Sequence, residues 1–288
     1  MTETPQRLSP GARLQRRTGI PLRALIPNAV TVLALCFGLT GVRFAIAGEW
    51  EKAVGAIMVA AVLDGIDGRI ARLLKGTSRF GAELDSLSDV TAFGVAPALI
   101  VYLWALQHLP GFGWVIALSH AVTCALRLAR FNAQIDSADQ PHKRAGYLTG
   151  VPAPVAAALT LSPLFLTFWL EPLLLEDLRV RYTLVAMITM TTAFLMASSL
   201  PTYGWGAVRL RPAQRLPALV GVGLFAGTLF TAPWMTMTLG ILGYAISVPF
   251  AVRSYARLKA RDQSIAPEAT TPEATAPEAT VAEPPHSA

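Results

Sequence analysis

The chain has 288 residues, of which 53% are hydrophobic and only 15% charged, and it carries a formal net charge of +6. A soluble domain averages about 25% charged residues, so this composition excludes an ordinary water-soluble globule and points to a membrane protein whose length goes into spanning helices. Lys and Arg flank the apolar stretches, where they set topology and meet anionic headgroups; no aromatic-and-basic groove accompanies them, and no nucleic-acid partner is expected.

Residues 1–22 are polar and basic, with Arg7, Arg13, Arg16, Arg17 and then Arg23, and Pro5, Pro10 and Pro21 break any long helix. A short interfacial helix fits over 11–18. No apolar core precedes Ala24, so no cleavable signal peptide is expected. Eight apolar segments follow, at 25–47, 53–74, 82–106, 113–132, 151–170, 181–200, 216–233 and 236–252. Most reach the roughly 20 residues that cross a bilayer as a helix. The expected fold is all-α: a polytopic membrane bundle of about eight transmembrane helices over residues 24–261. The last two segments are short and joined by Ala232, Pro233 and Trp234, which reads as a tight hairpin.

The loops divide by charge. Lys75, Arg79, Lys143, Arg144, Arg209, Arg211, Arg215, Arg253, Arg257, Lys259 and Arg261 join the N-terminal arginines on one side; Lys52, Arg179 and Arg181 mark the other. The positive-inside rule then places both termini in the cytoplasm. From Asp262 the chain repeats Pro-Glu-Ala-Thr units with no large apolar side chain, so 262–288 is expected to be a disordered tail. Cys36 and Cys124 lie in apolar stretches without metal-ligand neighbours and read as small buried packing residues. His108, His120 and His142 are dispersed and read as structural or surface groups.

The second and third segments hold what a packing helix avoids: Asp64, Asp67, Asp85 and Asp89. A charge at the centre of a spanning helix costs roughly 2.5–3.5 kcal/mol on insertion scales, and four unpartnered carboxylates would also repel one another. Divalent cations among them are the economical explanation. Asp64 and Asp67 are three apart and Asp85 and Asp89 four apart, so each pair projects from one helix face. The short basic loop at 75–80 makes the two helices antiparallel neighbours, and the pairs can converge. Asp67 precedes Lys75 by eight residues, about 12 Å at about 1.5 Å per residue, which places the site in a cavity open to the cytoplasm. Oxygen-only ligands favour Mg²⁺ or Mn²⁺. Gly65, Gly68 and Gly81 surround the carboxylates; they serve either close helix packing or close approach of a diphosphate to the backbone, the latter favoured at Gly68 and Gly81.

The stretch Asp64-x-x-Asp67-Gly68-x-x-Ala71-Arg72-x8-Gly81-x3-Asp85-x3-Asp89 matches every fixed position of the CDP-alcohol phosphotransferase signature, and the chain resembles that family. Pro27-Asn28, Ser78 to Val90, Phe93-Gly-Val-Ala-Pro97, Arg127-Leu-Ala-Arg-Phe-Asn132 and Gly150-Val-Pro-Ala-Pro154 are similar to its phosphatidylserine synthase branch. Ser86 and Val90 stand where phosphatidylglycerophosphate synthases typically carry Pro and Lys. The resemblance implies transfer of a phosphatidyl group from CDP-diacylglycerol to L-serine with release of CMP, a dimetal site and a homodimer among membrane lipids. It implies that Asp64, Asp67 and Asp85 ligate metal and that Asp89 is the general base, also touching a metal. Asn28, Gly68, Ala71, Arg72 and Gly81 would line the cytidine diphosphate site. Arg127, Arg130 and Asn132 would hold the acceptor's carboxylate or the lipid phosphate, although arginines at a helix end also serve as snorkelling anchors. Glu83 either holds the serine ammonium group or faces solvent. Lys143 and Arg144 read as surface charges.

Three rivals remain open at this point. The acceptor can be another alcohol, inositol phosphate or glycerol 3-phosphate, which would require a basic clamp for a second phosphate. A membrane prenyltransferase would need two separate aspartate motifs, and one is present. A metal-dependent lipid transporter would need carboxylate ligands but no general base.

Overall fold

A computed structural model describes residues 22–74, 78–133, 147–170, 177–198, 200–203 and 214–265. The described residues form α1 (Leu22–Ile46), α2 (Trp50–Leu73), α3 (Arg79–Asp89), α4 (Ala96–Trp104), α5 (Gly113–Ala133), β1 (Tyr147–Thr149), α6 (Ala153–Leu170), α7 (Leu178–Ala197), β2 (Pro201–Tyr203), α8 (Arg215–Thr231) and α9 (Pro233–Ile265). α3 and α4 are two halves of one rod, joined by a π-helical turn at Val90–Val95.

Each expected apolar segment is a helix, so the bundle is the polytopic one read from the sequence. Among the described residues, six helical stretches are long and apolar enough to cross a membrane: Leu25–Ile46, Arg79–Trp104, Gly113–Ala133, Ala153–Leu170, Leu178–Ala197 and Pro233–Arg257. The two others of the expected eight fall short for identifiable reasons. α2 is 24 residues long but carries Asp64, Asp67, Arg69 and Arg72 in its second half, and α8 has 17 residues. α9 outruns its expected end, continuing through the basic stretch to Ile265, three residues past Asp262, because Arg253 to Arg261 contains no Gly or Pro to stop it.

Small residues make the helix contacts. Ala53, Ala60, Ala92, Ala96 and Ala156 are fully buried beside Phe93, Ile100, Leu164 and Phe165, the pattern of a bundle in which backbones approach closely without a hydrophobic drive between helices. Gly38 of α1 meets the π-helical turn so closely that an added Cβ would lie 2.8 Å from Ala92 Cα. α1 packs along α2 and also against α3 and α4, and α5 packs on α7 and on the π-helical turn. α8 has no buried residue and rests against α9.

β1 and β2 pair antiparallel, with Tyr147 opposite Tyr203 and Thr149 opposite Pro201. Gly150, at φ +72°, donates its N–H to Leu200 O at 2.8 Å. This strap ties the start of α6 to the end of α7. Strands of three residues carry no alternating pattern and were not expected from the sequence. Cys124 is buried as expected, but Cys36 is exposed on α1: in a membrane bundle the outer face of a helix is apolar because lipid tails are apolar, so apolar surroundings in sequence do not imply burial. The N-terminal segment, His142, Lys143, Arg144 and the tail beyond Ile265 lie outside the described residues.

Candidate functional site

Three helices build a cleft. α1 supplies Pro27, Asn28 and Thr31; α2 supplies Asp67, Gly68 and Ala71; the start of α3 supplies Ser78, Gly81, Ala82 and Asp85. Asn28 and Thr31 share a face of α1 because they are three apart. Ser78 caps α3: its Oγ accepts from the Gly81 N–H at 3.0 Å, which fixes where the helix begins and so the direction of Asp85 seven residues on.

One carboxylate oxygen from each of Asp64, Asp67 and Asp85 lies within 4.8 Å of the other two. The expected convergence of the two pairs is therefore present for three of the four aspartates, across the space between α2 and α3. Asp67 is buried, and its Oδ2 accepts the Thr31 hydroxyl at 2.7 Å. Asp89 stands beside rather than within the group. Its carboxyl lies within hydrogen-bonding reach of Asp64, and its Oδ1 is buried with no hydrogen-bond partner. Two carboxylates this close need a shared proton or a cation between them. An orphaned buried carboxylate oxygen is costly unless something absent from the protein itself meets it. Three convergent carboxylate oxygens, with no nitrogen or sulfur ligand in the group among the described residues, suit a hard divalent cation.

The expected nucleotide-lining residues fall unevenly. Asn28, Gly68, Ala71 and Gly81 all line the cleft. Nothing stands within 4 Å of where a Gly68 Cβ would be, so its bare backbone faces open space; the same holds for Gly65. Gly81 is different: a Cβ there would lie 2.8 Å from Asn28 Oδ1 and 3.1 Å from Ser78 Oγ. Its smallness makes room for Asn28 and the cap. Arg72 turns back along its own helix, Nε donating to Gly68 O at 3.0 Å. Glu83 is exposed.

α5 brings the third group. Arg127 interacts electrostatically with Asp89, and its Nε is buried without a hydrogen-bond partner. Asn132 Nδ2 donates to Ser86 Oγ at 2.9 Å, tying α5 to α3 beside Asp85. Arg130 instead donates from Nη1 to Ala197 O at 3.3 Å, where it closes the last turn of α7. Of the three, Arg127 is the one with guanidinium capacity facing inward.

Thr31 carries no motif in the sequence, and Ser78 and Ser88 belong to the Ser78 to Val90 stretch without a role of their own. Ser88 Oγ donates to Thr31 O at 3.2 Å and pins α3 to α1. The available signal for Thr31 was its three-residue spacing from Asn28 in an otherwise apolar helix.

Residues 24–197 match the family model described as CDP-alcohol phosphatidyltransferase, and residues 214–249 match one described as CDP-alcohol phosphatidyltransferase 2. The chain is 37% identical over 238 residues to a CDP-diacylglycerol–serine O-phosphatidyltransferase of Mycobacterium bovis, covering 83% of this chain and 81% of that one. It is 34% identical over 259 residues to one of Mycobacterium leprae, covering 88% and 82%. One of Bacillus subtilis is 34% identical over 150 residues, covering 52% of this chain and 79% of that one.

Proposed function

This chain belongs to the CDP-alcohol phosphatidyltransferase family, and we propose that it transfers the phosphatidyl group of CDP-diacylglycerol to L-serine, giving phosphatidylserine and CMP. It is an integral membrane transferase of phospholipid synthesis. The observation that carries the proposal is the pairing of three convergent aspartate oxygens with Asp89, whose Oδ1 is buried and without a hydrogen-bond partner. The relatives' names carry the choice of serine.

Asp64, Asp67 and Asp85 would hold the divalent cation, with Asp89 at the edge of the group. When bound, Mg²⁺ or Mn²⁺, in the proposal two ions, supplies charge neutralisation for the diphosphate and for the departing phosphate. The remaining work falls to the chain. Asn28, Ala71 and the open backbone at Gly68 receive the cytidine diphosphate. Asp89 accepts the proton of the serine hydroxyl as its oxygen bonds to the phosphorus bearing the diacylglycerol; the bond from that phosphorus to the bridging oxygen breaks, and CMP leaves with the electron pair. Serine's hydroxyl is a poor nucleophile at neutral pH, so a positioned base is required. Arg127 pairs with the serine carboxylate, where a planar guanidinium can bond two oxygens at once. One displacement suffices, and no covalent enzyme intermediate is invoked.

The proposal extends to placement and assembly: the cell membrane, both termini and the cleft on the cytoplasmic side, and a homodimer. The Lys and Arg asymmetry of the loops supports the orientation.

The test is CMP release by purified protein given CDP-diacylglycerol, divalent cation and a panel of alcohols. Serine should be the fastest acceptor. Faster release with glycerol 3-phosphate or inositol phosphate would overturn the acceptor while leaving the reaction class standing.

A further inference from the structure

Asp89 is the last residue of α3, and the helix changes register at the next residue. Val90–Val95 forms a π-helical turn, in which the Ala96 N–H reaches Thr91 O five residues back instead of four. The cause lies in the sequence. In α register the carbonyl of Phe93 would bond the amide of residue 97, and that residue is Pro97, which has no N–H and whose ring clashes with a carbonyl four residues before it. The turn therefore widens, and Phe93 O is left without its α-helical donor.

His120 of α5 fills the gap. It is fully buried. Its Nε2 lies 3.1 Å from Phe93 O, and because a carbonyl oxygen only accepts, Nε2 is the donor. Its Nδ1 lies 3.1 Å from Thr160 Oγ1 of α6, which in the neutral ring donates to it. The imidazole thus bridges α5, the π-helical turn and α6. The turn is gripped on its other sides as well. Ala92 stands against Gly38, and a Cβ on Gly94 would lie 3.0 Å from Cys124 Cβ.

One extra residue in a helical turn rotates everything before it by about 100° relative to an uninterrupted α-helix, since about 3.6 residues make one turn. The face that Asp85 and Asp89 share is therefore aimed by this widened turn. We propose that His120 is a positioning residue for the reaction: by bonding the Phe93 carbonyl that Pro97 cannot serve, it locks the π-helical turn and holds Asp89 toward Asp64. The proposal rests on the reading of Asp89 as the base, and it gives a buried histidine that the chemistry does not otherwise use a defined part in that chemistry.

The test compares His120→Phe, which keeps a flat ring but cannot donate, with His120→Gln, whose amide can donate to Phe93 O and accept from Thr160. His120→Phe should lower kcat by about 10–100-fold, by analogy with the loss of a partner that orients a metal-ligating side chain, with KM for CDP-diacylglycerol and the half-activating Mn²⁺ concentration within about twofold of the unmodified enzyme. His120→Gln should recover most of that loss. Amide hydrogen exchange, which needs no turnover, should show residues 90–98 losing protection in His120→Phe and keeping it in His120→Gln. Thr160→Val should shift both readouts in the same direction by less, and it carries the test if His120→Phe does not fold. Unchanged kcat and exchange in His120→Phe, equal impairment of the two His120 variants, or a loss confined to KM would overturn the proposal. If serine proves not to be the acceptor, the exchange comparison still decides this inference.

Discussion

Thr31 of α1 and Asp67 of α2 are joined by a buried hydrogen bond of 2.7 Å from the threonine hydroxyl to Oδ2. The donor takes one lone pair of the carboxylate and holds the side chain whose oxygen joins those of Asp64 and Asp85. The same residue's carbonyl accepts from Ser88 on α3, so Thr31 sets the distance between the two halves of the aspartate cluster. Thr31→Val keeps the shape and removes the donor. We expect the metal concentration for half-maximal activity to rise about 10-fold, typical for losing the partner of a ligating carboxylate, with Thr31→Ser near the unmodified value. A titration of activity against Mn²⁺ in each variant checks this.

Two glycines separate ligand space from packing. Gly68 faces open space and Gly38 meets Ala92. Gly68→Ala should leave thermal stability unchanged or raise it, because alanine is better than glycine in a helix by about 1 kcal/mol, yet it should raise KM for CDP-diacylglycerol several-fold. Gly38→Ala should do the reverse, destabilising by about 1–3 kcal/mol through overpacking with KM near normal in whatever folds. Thermal melts beside steady-state kinetics distinguish the two.

The base assignment makes Asp89→Asn an enzyme that binds but turns over slowly. The amide keeps the size of the side chain and loses its ability to take a proton, so kcat should fall by about 10²–10⁴-fold, the usual contribution of general-base assistance. Arg127→Ala should act differently, raising the serine concentration for half-maximal rate more than it lowers kcat. Initial rates of CMP release with serine and metal varied separately resolve the two patterns; near-normal turnover by Asp89→Asn would remove Asp89 from the role.

Convergent aspartates that repel one another imply a metal requirement. Excess EDTA should lower turnover by about 100-fold or more, given that a bound cation contributes several kcal/mol of transition-state charge stabilisation, and added Mg²⁺ or Mn²⁺ should restore it. Full turnover after exhaustive chelation would contradict the role given to Asp64, Asp67 and Asp85.

Much of this was legible from the chain. Apolar segments fix helix placement to within a few residues except at the end of α9, which runs on to Ile265, and carboxylates inside such segments are expensive enough to betray a site. The two spacings, three for Asp64 and Asp67 and four for Asp85 and Asp89, put each pair on one helix face. What was not legible depends on partners distant in sequence. Thr31 reads as an ordinary helix residue until Asp67, 36 positions away, is placed beside it. Gly81 reads as an opening for ligand, whereas Asn28 occupies the space. His120 reads as a dispersed structural histidine; only the π-helical turn shows what its nitrogen bonds, although Pro97 four residues after Phe93 was a visible cause. Cys36 was expected to be buried because apolar surroundings normally mean a core, and in a bilayer they do not.

The most direct measurement follows the atoms of serine. Purified protein in lipid vesicles is given CDP-diacylglycerol, divalent cation and L-serine carrying an isotopic label, and both CMP and label in the lipid fraction are counted over time. We expect label to enter lipid as phosphatidylserine, one molecule for each CMP released, and both signals to fall together in Asp89→Asn. CMP released with no label in the lipid, or lipid formed only when another alcohol is supplied, would contradict transfer to serine.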